Sequence, residues 1–568
     1  MMSHAKKSRA RGLLWALLGV ACAHPTDGEE ASGPDRPEAS DPVDAGGSAD
    51  PGGGDPTERG PWWRDAVFYE IFVRSFADSD GDGVGDLRGL TERLDALNDG
   101  DASTTDDLGV TALWLMPIHP SPSYHGYDVV DYDAVNPDYG TMEDLQVFLD
   151  AAHERGLRVI IDFVLNHSSS RHPWFLNART GPEASRRLWY TFRPEPDPAY
   201  RRPWDGSLDV WHPSRVGYYY GLFWSGMPDL ALDHPPVERA MLASMKGWLA
   251  RGLDGFRVDA VRYLIEDPRG QVADTPATHA LSRRIRAELQ ADFPQSVLVA
   301  EAWTGSEDIA PYYGEGDEYH LAFDFPTAGA VMTAAKDGLR ASLDQALAVR
   351  EETYLDPGFA APFLTNHDMR RAQRQLDEAG ASRGARPAAA TLFALPGPPF
   401  VYYGEEIGMR GGPSGADEDK RTPMRWTAEA PGYGFTTAAR PWRFAEEPTG
   451  VDVATQRATE GSLWRLYRDL ITLRTRHPSL TRGALERPTR EGGGRGTTGF
   501  IRAAPDAEPV LFVVNFADEE EEVVRFRRPE SRASVLLQEG LARPPEWTED
   551  GWLEVGPLGP RGFAFVEL

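Results

Sequence analysis

From residue 61 onward the chain alternates short apolar runs with amphipathic stretches. The runs at 67–73, 112–116, 159–163, 255–258, 297–300, 321–325, 362–364 and 400–402 have strand length. The stretches between them, such as 87–97, 142–155 and 237–251, repeat their apolar residues at helical spacing. Eight strands alternating with helices over about 400 residues predict an α/β fold with a closed parallel (β/α)8 barrel. By alternation alone an open doubly wound sheet competes with it.

Two segments break the alternation. Residues 166–236 follow the third strand, are rich in Arg, Pro, Trp and Tyr, and show no clear helical period. A stretch that long between barrel elements predicts an inserted subdomain with a functional role. The tail, 483–568, contains apolar runs at 510–516 and 521–526 separated by charged turns, which predicts a separate antiparallel β-sandwich domain. The catalytic barrel is thus expected at 61–482. Residues 23–60, dense in Pro, Gly, Ser, Asp and Glu without any apolar period, read as a disordered tether.

Composition narrows the partners. The formal charge of −29 argues against nucleic acid, because such a field repels phosphate. A neutral substrate or a bound cation fits better. The single cysteine rules out an intrachain disulfide, and its position is informative. Lys6, Lys7, Arg9 and Arg11 precede an apolar segment of ten residues that ends at Cys22, the layout of a signal peptide and too short to span a bilayer. The segment resembles a bacterial lipobox, with Gly19 where that motif prefers Leu. It predicts a signal peptide over 1–22 and export as an outer-membrane or cell-surface lipoprotein. Plain secretion or a periplasmic location is the alternative. The lipid anchor would be the only membrane contact, and the oligomeric state is left open.

Three carboxylates stand at the ends of apolar runs: Asp259 after 255–258, Glu301 after 297–300, and Asp368 after the run that begins at Pro362. Barrels build their sites at such strand ends. Retaining glycoside hydrolysis needs two carboxyl groups about 5–5.5 Å apart, one as nucleophile and one as acid/base. Taken singly, each acid is as readily a solvated turn residue. Arg257, two positions before Asp259 and therefore on the same face of its strand, favours an ionised Asp259.

Asp162-Phe-Val-Leu-Asn-His167, Gly255-Phe-Arg-Val-Asp-Ala-Val-Arg262, Glu301-Ala-Trp303 and Phe363-Leu-Thr-Asn-His-Asp368 resemble, in order, the four main signature regions of the α-amylase family, glycoside hydrolase family 13. The likeness extends from Trp62 to the end of the chain. It implies Asp259 as nucleophile, Glu301 as general acid/base and Asp368 as the residue that grips the sugar hydroxyls. It also implies substrate contacts from Tyr127, Asp128, His167, Arg257 and His367. The implied substrate is an α-glucan or maltooligosaccharide, cut at α-1,4 bonds. Ala260 after the nucleophile resembles α-1,4-specific members, and Met227-Pro-Asp-Leu230 resembles the group intermediate between oligo-1,6-glucosidases and neopullulanases. Ala231 departs from that group, where Asn is usual. Arg421-Thr-Pro-Met-Arg-Trp426 resembles a segment of α-glucosidases and trehalose synthases, which keeps exo-action and isomerisation open. A surface glucan-binding protein without catalysis is the rival from another class.

A second site is legible at Asp78-Ser-Asp-Gly-Asp-Gly-Val-Gly-Asp86. Acids at every second position, with glycines for tight turns, can wrap a hard cation in oxygen. In branches of the family this loop binds calcium, so the resemblance implies a structural Ca2+ held by Asp78, Asp80, Asp82, Asp86 and the carbonyl of Val84.

Overall fold

The structure is a computed structural model and describes residues 61–528 and 532–568. The segment ending at Cys22 and the tether 23–60 lie outside the described residues. Among the described residues no helix is long and apolar enough to cross a membrane.

Eight parallel strands form the barrel: β1 (Phe68–Ile71), β2 (Ala112–Leu115), β3 (Arg158–Phe163), β4 (Gly255–Val258), β5 (Val297–Ala300), β6 (Leu321–Phe323), β7 (Ala360–Ala361) and β8 (Phe400–Tyr402). Neighbours follow chain order from β1 to β7, and β8 pairs with β1. The ring closes where Phe363 bridges Phe400, whose N–H donates to the Pro362 carbonyl at 2.8 Å.

The barrel interior follows from strand parity. Phe68, Ala112, Trp114, Ile160, Val297, Val299, Leu321 and Phe323 point inward and form one apolar cluster. Alternate residues, such as Tyr69, Leu113, Ile161, Phe256 and Leu298, point outward into the cluster shared with the helices. Phe68 and Phe400 stack in the interior at 4.3 Å. At the same parity, one step nearer the C-terminal ends, stand Glu70, Asp162, Arg257 and Glu301. The strand pattern alone delivers these charges to one end of the barrel. Gly255 permits the close approach of β4 and β5, because a Cβ there would lie 2.2 Å from the Val297 carbonyl oxygen.

Tertiary contacts shift several expected boundaries. The helix expected at 87–97 is two pieces, Leu87–Glu92 and Leu94–Leu97. Arg93, at the break, donates to the Gly434 carbonyl at 2.8 Å and lies over Trp426 at 4.8 Å. β1 is shorter than 67–73 because the chain turns into a 3-10 helix at Val73–Ser75. β6 stops before 325 because Asp324 caps the helix Phe325–Asp337. β7 lies two residues ahead of the expected 362–364. Its ladder to β6 ends before Pro362, which has no N–H to extend it.

The insert after β3 has its own three-stranded antiparallel sheet (Phe192–Arg193, Gly217–Tyr220, Trp211–Ser214) and a small apolar core around Trp211, Tyr220 and Leu222. At the C-terminal end of the chain a five-stranded and a four-stranded antiparallel sheet pack face to face over Ile501, Leu511, Val513, Val524, Phe526 and Val555. The other face of the five-stranded sheet, with Phe500, Phe512 and Phe565, joins the barrel's outer core.

Arg502 ties the two parts together. It is fully buried, and its guanidinium donates to the Gly483 carbonyl at 2.8 Å and the Ala394 carbonyl at 2.9 Å. Arg502→Met would leave both carbonyls unpaired in a dry interface, at about 1–3 kcal/mol each. The variant is expected to unfold at clearly lower urea concentration than the parent. An unchanged midpoint would show that Arg502 contributes nothing to the docking of the sandwich.

Candidate active site

Arg257 sits at the centre of the strand-end layer with none of its side chain exposed. Its Nη1 donates to Asp162 Oδ1 and to Asp259 Oδ1, both at 2.6 Å. Its Nη2 lies 2.7 Å from Glu301 Oε1, an ion pair without hydrogen-bond alignment. One cation thus gathers three carboxylates from the ends of β3, β4 and β5. The turn after β4 completes the arrangement: Ala260 adopts φ 51°, and its N–H donates to Glu301 Oε2 at 3.0 Å. A non-glycine residue in this left-handed region carries strain of about 1 kcal/mol or more, which the surroundings must hold.

A second group faces the first. Asp368, about a third exposed, accepts from Arg421 Nη2 at 2.8 Å and lies 3.1 Å from His367 Nε2. His367 is fully buried, and its Nδ1 contacts Glu70 Oε1 at 2.5 Å. Tyr127 joins the two groups. Its hydroxyl donates to Asp162 Oδ2 at 2.9 Å and meets His367 Nε2 at 2.6 Å. With acceptors at both ring nitrogens, His367 is built to be an imidazolium.

The electrostatics separate the carboxylates. Burial raises Glu301 to about 8, although Arg257 opposes the shift. Burial likewise lifts Asp162 to about 6 against the pull of Arg257. Burial would also raise Asp368, but His367 and Arg421 outweigh it and hold this carboxyl well below the usual range. Burial opposes the charge on His367, yet Asp368 and Glu70 prevail and raise it to about 9.

The remaining expected residues divide. His167 is buried, stands 5.2 Å from the Phe223 ring, and has an Nε2 with no protein partner. Burial lowers its pKa, which favours the neutral ring. Asp128 is buried and accepts from Ser121 at 2.6 Å and from Ser123. Three partners were missed by sequence reasoning: Glu70, Tyr124 and Arg421. Glu70 did leave a signal, as the lone charge inside the apolar run of β1.

The acidic loop lies apart from this cluster. Asp78, Asp80 and Asp86 can bring carboxylate oxygens within 4.8 Å of one another, a donor set suited to a hard cation. Asp82 is outside that trio, and its Oδ1 accepts the Val84 N–H at 2.7 Å. Asp86 also caps the helix Leu87–Glu92 through Gly89 N–H at 2.7 Å.

A parallel eight-stranded barrel with acids of divergent proton affinity at its strand ends has the groups that glycoside hydrolysis requires. Residues 70–483 match the family model described as "Alpha amylase, catalytic domain". The chain belongs to the α-amylase family. It is 37% identical to "Alpha-amylase 3" of Dictyoglomus thermophilum over 75% of this chain and 80% of that protein. It is 35% identical to "Trehalose synthase/amylase TreS" of Mycobacterium tuberculosis over 82% of each. Among solved structures, the α-amylase from H. orenii superposes with a TM-score of 0.74 at 36% identity, covering 88% of this chain and 99% of that one.

Arg257→Lys replaces a planar fork by a point charge that can span fewer of the three acids. Turnover is expected to fall about 100-fold or more, the scale of losing a preorganised electrostatic contact. Steady-state kinetics on the folded variant check this, and wild-type kcat would deny Arg257 its organising role.

Proposed function

We propose that the protein is a retaining α-glucan hydrolase that cuts α-1,4-glucosidic bonds in starch, glycogen or maltooligosaccharides. The observation that carries the reading is the pairing of Asp259 and Glu301 on one guanidinium, with Glu301 held protonated by burial. In the first step Asp259 attacks the anomeric carbon while Glu301 gives its proton to the departing glycosidic oxygen. That breaks the bond and leaves a covalent glycosyl-enzyme. In the second step Glu301, now a carboxylate, takes a proton from water, whose oxygen displaces Asp259 and retains the configuration. Asp368, kept ionised by His367 and Arg421, would accept from sugar hydroxyls. His367 and His167 would line the same sugar. Tyr127 would support it by stacking, with its ring 5.5 Å from His367.

Isomerisation is a second reading, favoured by the likeness to trehalose synthases and by Arg421, which opens the segment resembling those enzymes and binds Asp368. Both readings share the glycosyl-enzyme and differ in what captures it. Timed product analysis on soluble starch, maltotriose and maltose, with Asp259→Asn as blank, separates them. Early maltooligosaccharides from starch that vanish in the blank support the hydrolase. Trehalose from maltose moves the assignment to isomerase, and no turnover of any substrate favours a glucan-binding protein.

The proton donor sets the alkaline limit. Glu301 donates only while protonated, so rising pH removes the active form as it passes about 8. A kcat/KM profile flat to pH 10 would exclude Glu301 as the acid.

For the acidic loop we propose structural Ca2+, with Asp78, Asp80 and Asp86 as carboxylate ligands, and Asp82 and the Val84 carbonyl completing the shell. Such an ion would neutralise the loop and fix its path; it takes no part in bond cleavage. A ligand bound only to the folded state stabilises by about 2.7 kcal/mol at a hundredfold excess over Kd. Adding Ca2+ to chelator-treated protein should therefore raise the unfolding temperature, and Asp78→Asn should abolish the rise. Identical melting with and without Ca2+ in the parent would remove the ion from the loop.

The export signal and lipid anchor ending at Cys22 are part of the same proposal, as the means of placing a glucan hydrolase at the cell surface.

A further inference from the structure

Arg421 has an unusual support. Its guanidinium reaches Asp368 Oδ1 at 2.8 Å, the His367 carbonyl at 3.0 Å and the Tyr124 hydroxyl at 3.3 Å. Its own carbonyl accepts from the Ser75 hydroxyl at 2.5 Å. Trp442, partly buried in the segment that follows β8, approaches both ends of this arginine through one intermediary each. Its indole Nε1 donates to Ser75 Oγ at 2.9 Å, so a single hydroxyl joins the indole to the Arg421 backbone. Its ring stacks on Tyr124 at 5.4 Å and 28°, and the Tyr124 ring lies 5.6 Å from the Arg421 guanidinium. Trp442 is anchored in turn by its N–H, which donates to the Gly83 carbonyl of the acidic loop at 2.8 Å.

We propose that Trp442 is a positioning residue for substrate binding, which fixes Arg421 at backbone and guanidinium together and through it sets the orientation of Asp368. This rests on the glucan reading above. The physical need is plain. An arginine side chain carries about 2 kcal/mol of rotamer entropy, and Asp368 is open enough to move if its partner moves. Two independent links converging on one indole remove that freedom before substrate arrives. Trp442 has no described contact with the three acids, so its influence must pass through Arg421.

A tryptophan that only filled space would affect stability, and its effect on binding would not depend on Arg421. A double-mutant cycle tells the two roles apart. Maltotriose binding is measured by calorimetry on full-length protein carrying Glu301→Gln, which blocks turnover. Trp442→Leu is expected to weaken binding about tenfold in that parent, but less than about twofold when Arg421→Lys is also present. Trp442→Phe, which keeps the stack and loses the Nε1 donor, should fall between, near threefold. Equal weakening in both backgrounds overturns the proposal, as does unchanged affinity in Trp442→Leu. If Trp442→Leu does not fold, the same cycle with Trp442→Phe decides. If Arg421→Lys binds too weakly to measure, Ser75→Ala and Tyr124→Leu take its place. Absence of maltotriose binding by the Glu301→Gln parent tells against the glucan reading itself and removes the proposal with it.

Discussion

The end of the barrel is organised around one buried cation. Arg257 has no exposed side chain, and an isolated guanidinium in that position would lose several kcal/mol of hydration. Asp162, Asp259 and Glu301 offset the loss only if three strands end at matching heights. The register supplies this: Arg257 stands opposite Asp162 on one side and Val299 on the other, and Glu301 is two residues beyond Val299. The close passage of β4 and β5 at Gly255 and the left-handed turn at Ala260 then become requirements of the charge cluster. Strain at Ala260 is tolerated because its N–H meets the very carboxylate that Arg257 holds. A slip of one residue in β4 would turn Arg257 and Asp259 out of the barrel together.

The same low-dielectric setting divides the acids by what lies beside them. Glu301 has one shared cation and two neighbouring carboxylates, so burial wins and the proton stays. Asp368 has Arg421 and the His367 imidazolium beside it, so its charge survives. Pushing neighbouring titratable groups in opposite directions is how an enzyme obtains an acid and an anion from like residues. The His367 cation is in turn maintained by Glu70, at the end of β1. The proton affinity on one side of the barrel thus depends on a strand on another.

What the sequence disclosed follows from the range of the interactions. Arg257 and Asp259 are two residues apart on one strand, and period-two parity reveals their common face. Asp259, Glu301 and Asp368 each end an apolar run, so their location was legible as well. Arg421 reaches Asp368 from 53 positions along the chain, and Glu70 meets His367 across a separation of 297; no local pattern encodes such pairs. Arg93 breaks the expected helix for the same kind of reason, since its partners Trp426 and Gly434 lie far along the chain.

Under the proposed reading, the central cluster has no means of choosing between water and a second sugar. Asp259 and Glu301 form and break the glycosyl-enzyme identically in either case. The choice falls to the walls of the cleft, which decide whether the departing sugar stays long enough to return. On the side of His167, Phe223 stacks with Trp204 at 5.5 Å and stands 5.9 Å from Tyr263, an aromatic wall built jointly by the insert and the turn after β4. On the other side Trp303, 42% exposed, stacks on Phe325 at 4.7 Å. Flat rings left in water at a large hydrophobic penalty are suited to the faces of sugars. Under that reading the barrel layer governs whether the bond breaks, and the insert at 166–236, which the apolar periodicity left featureless, would govern what replaces the leaving group.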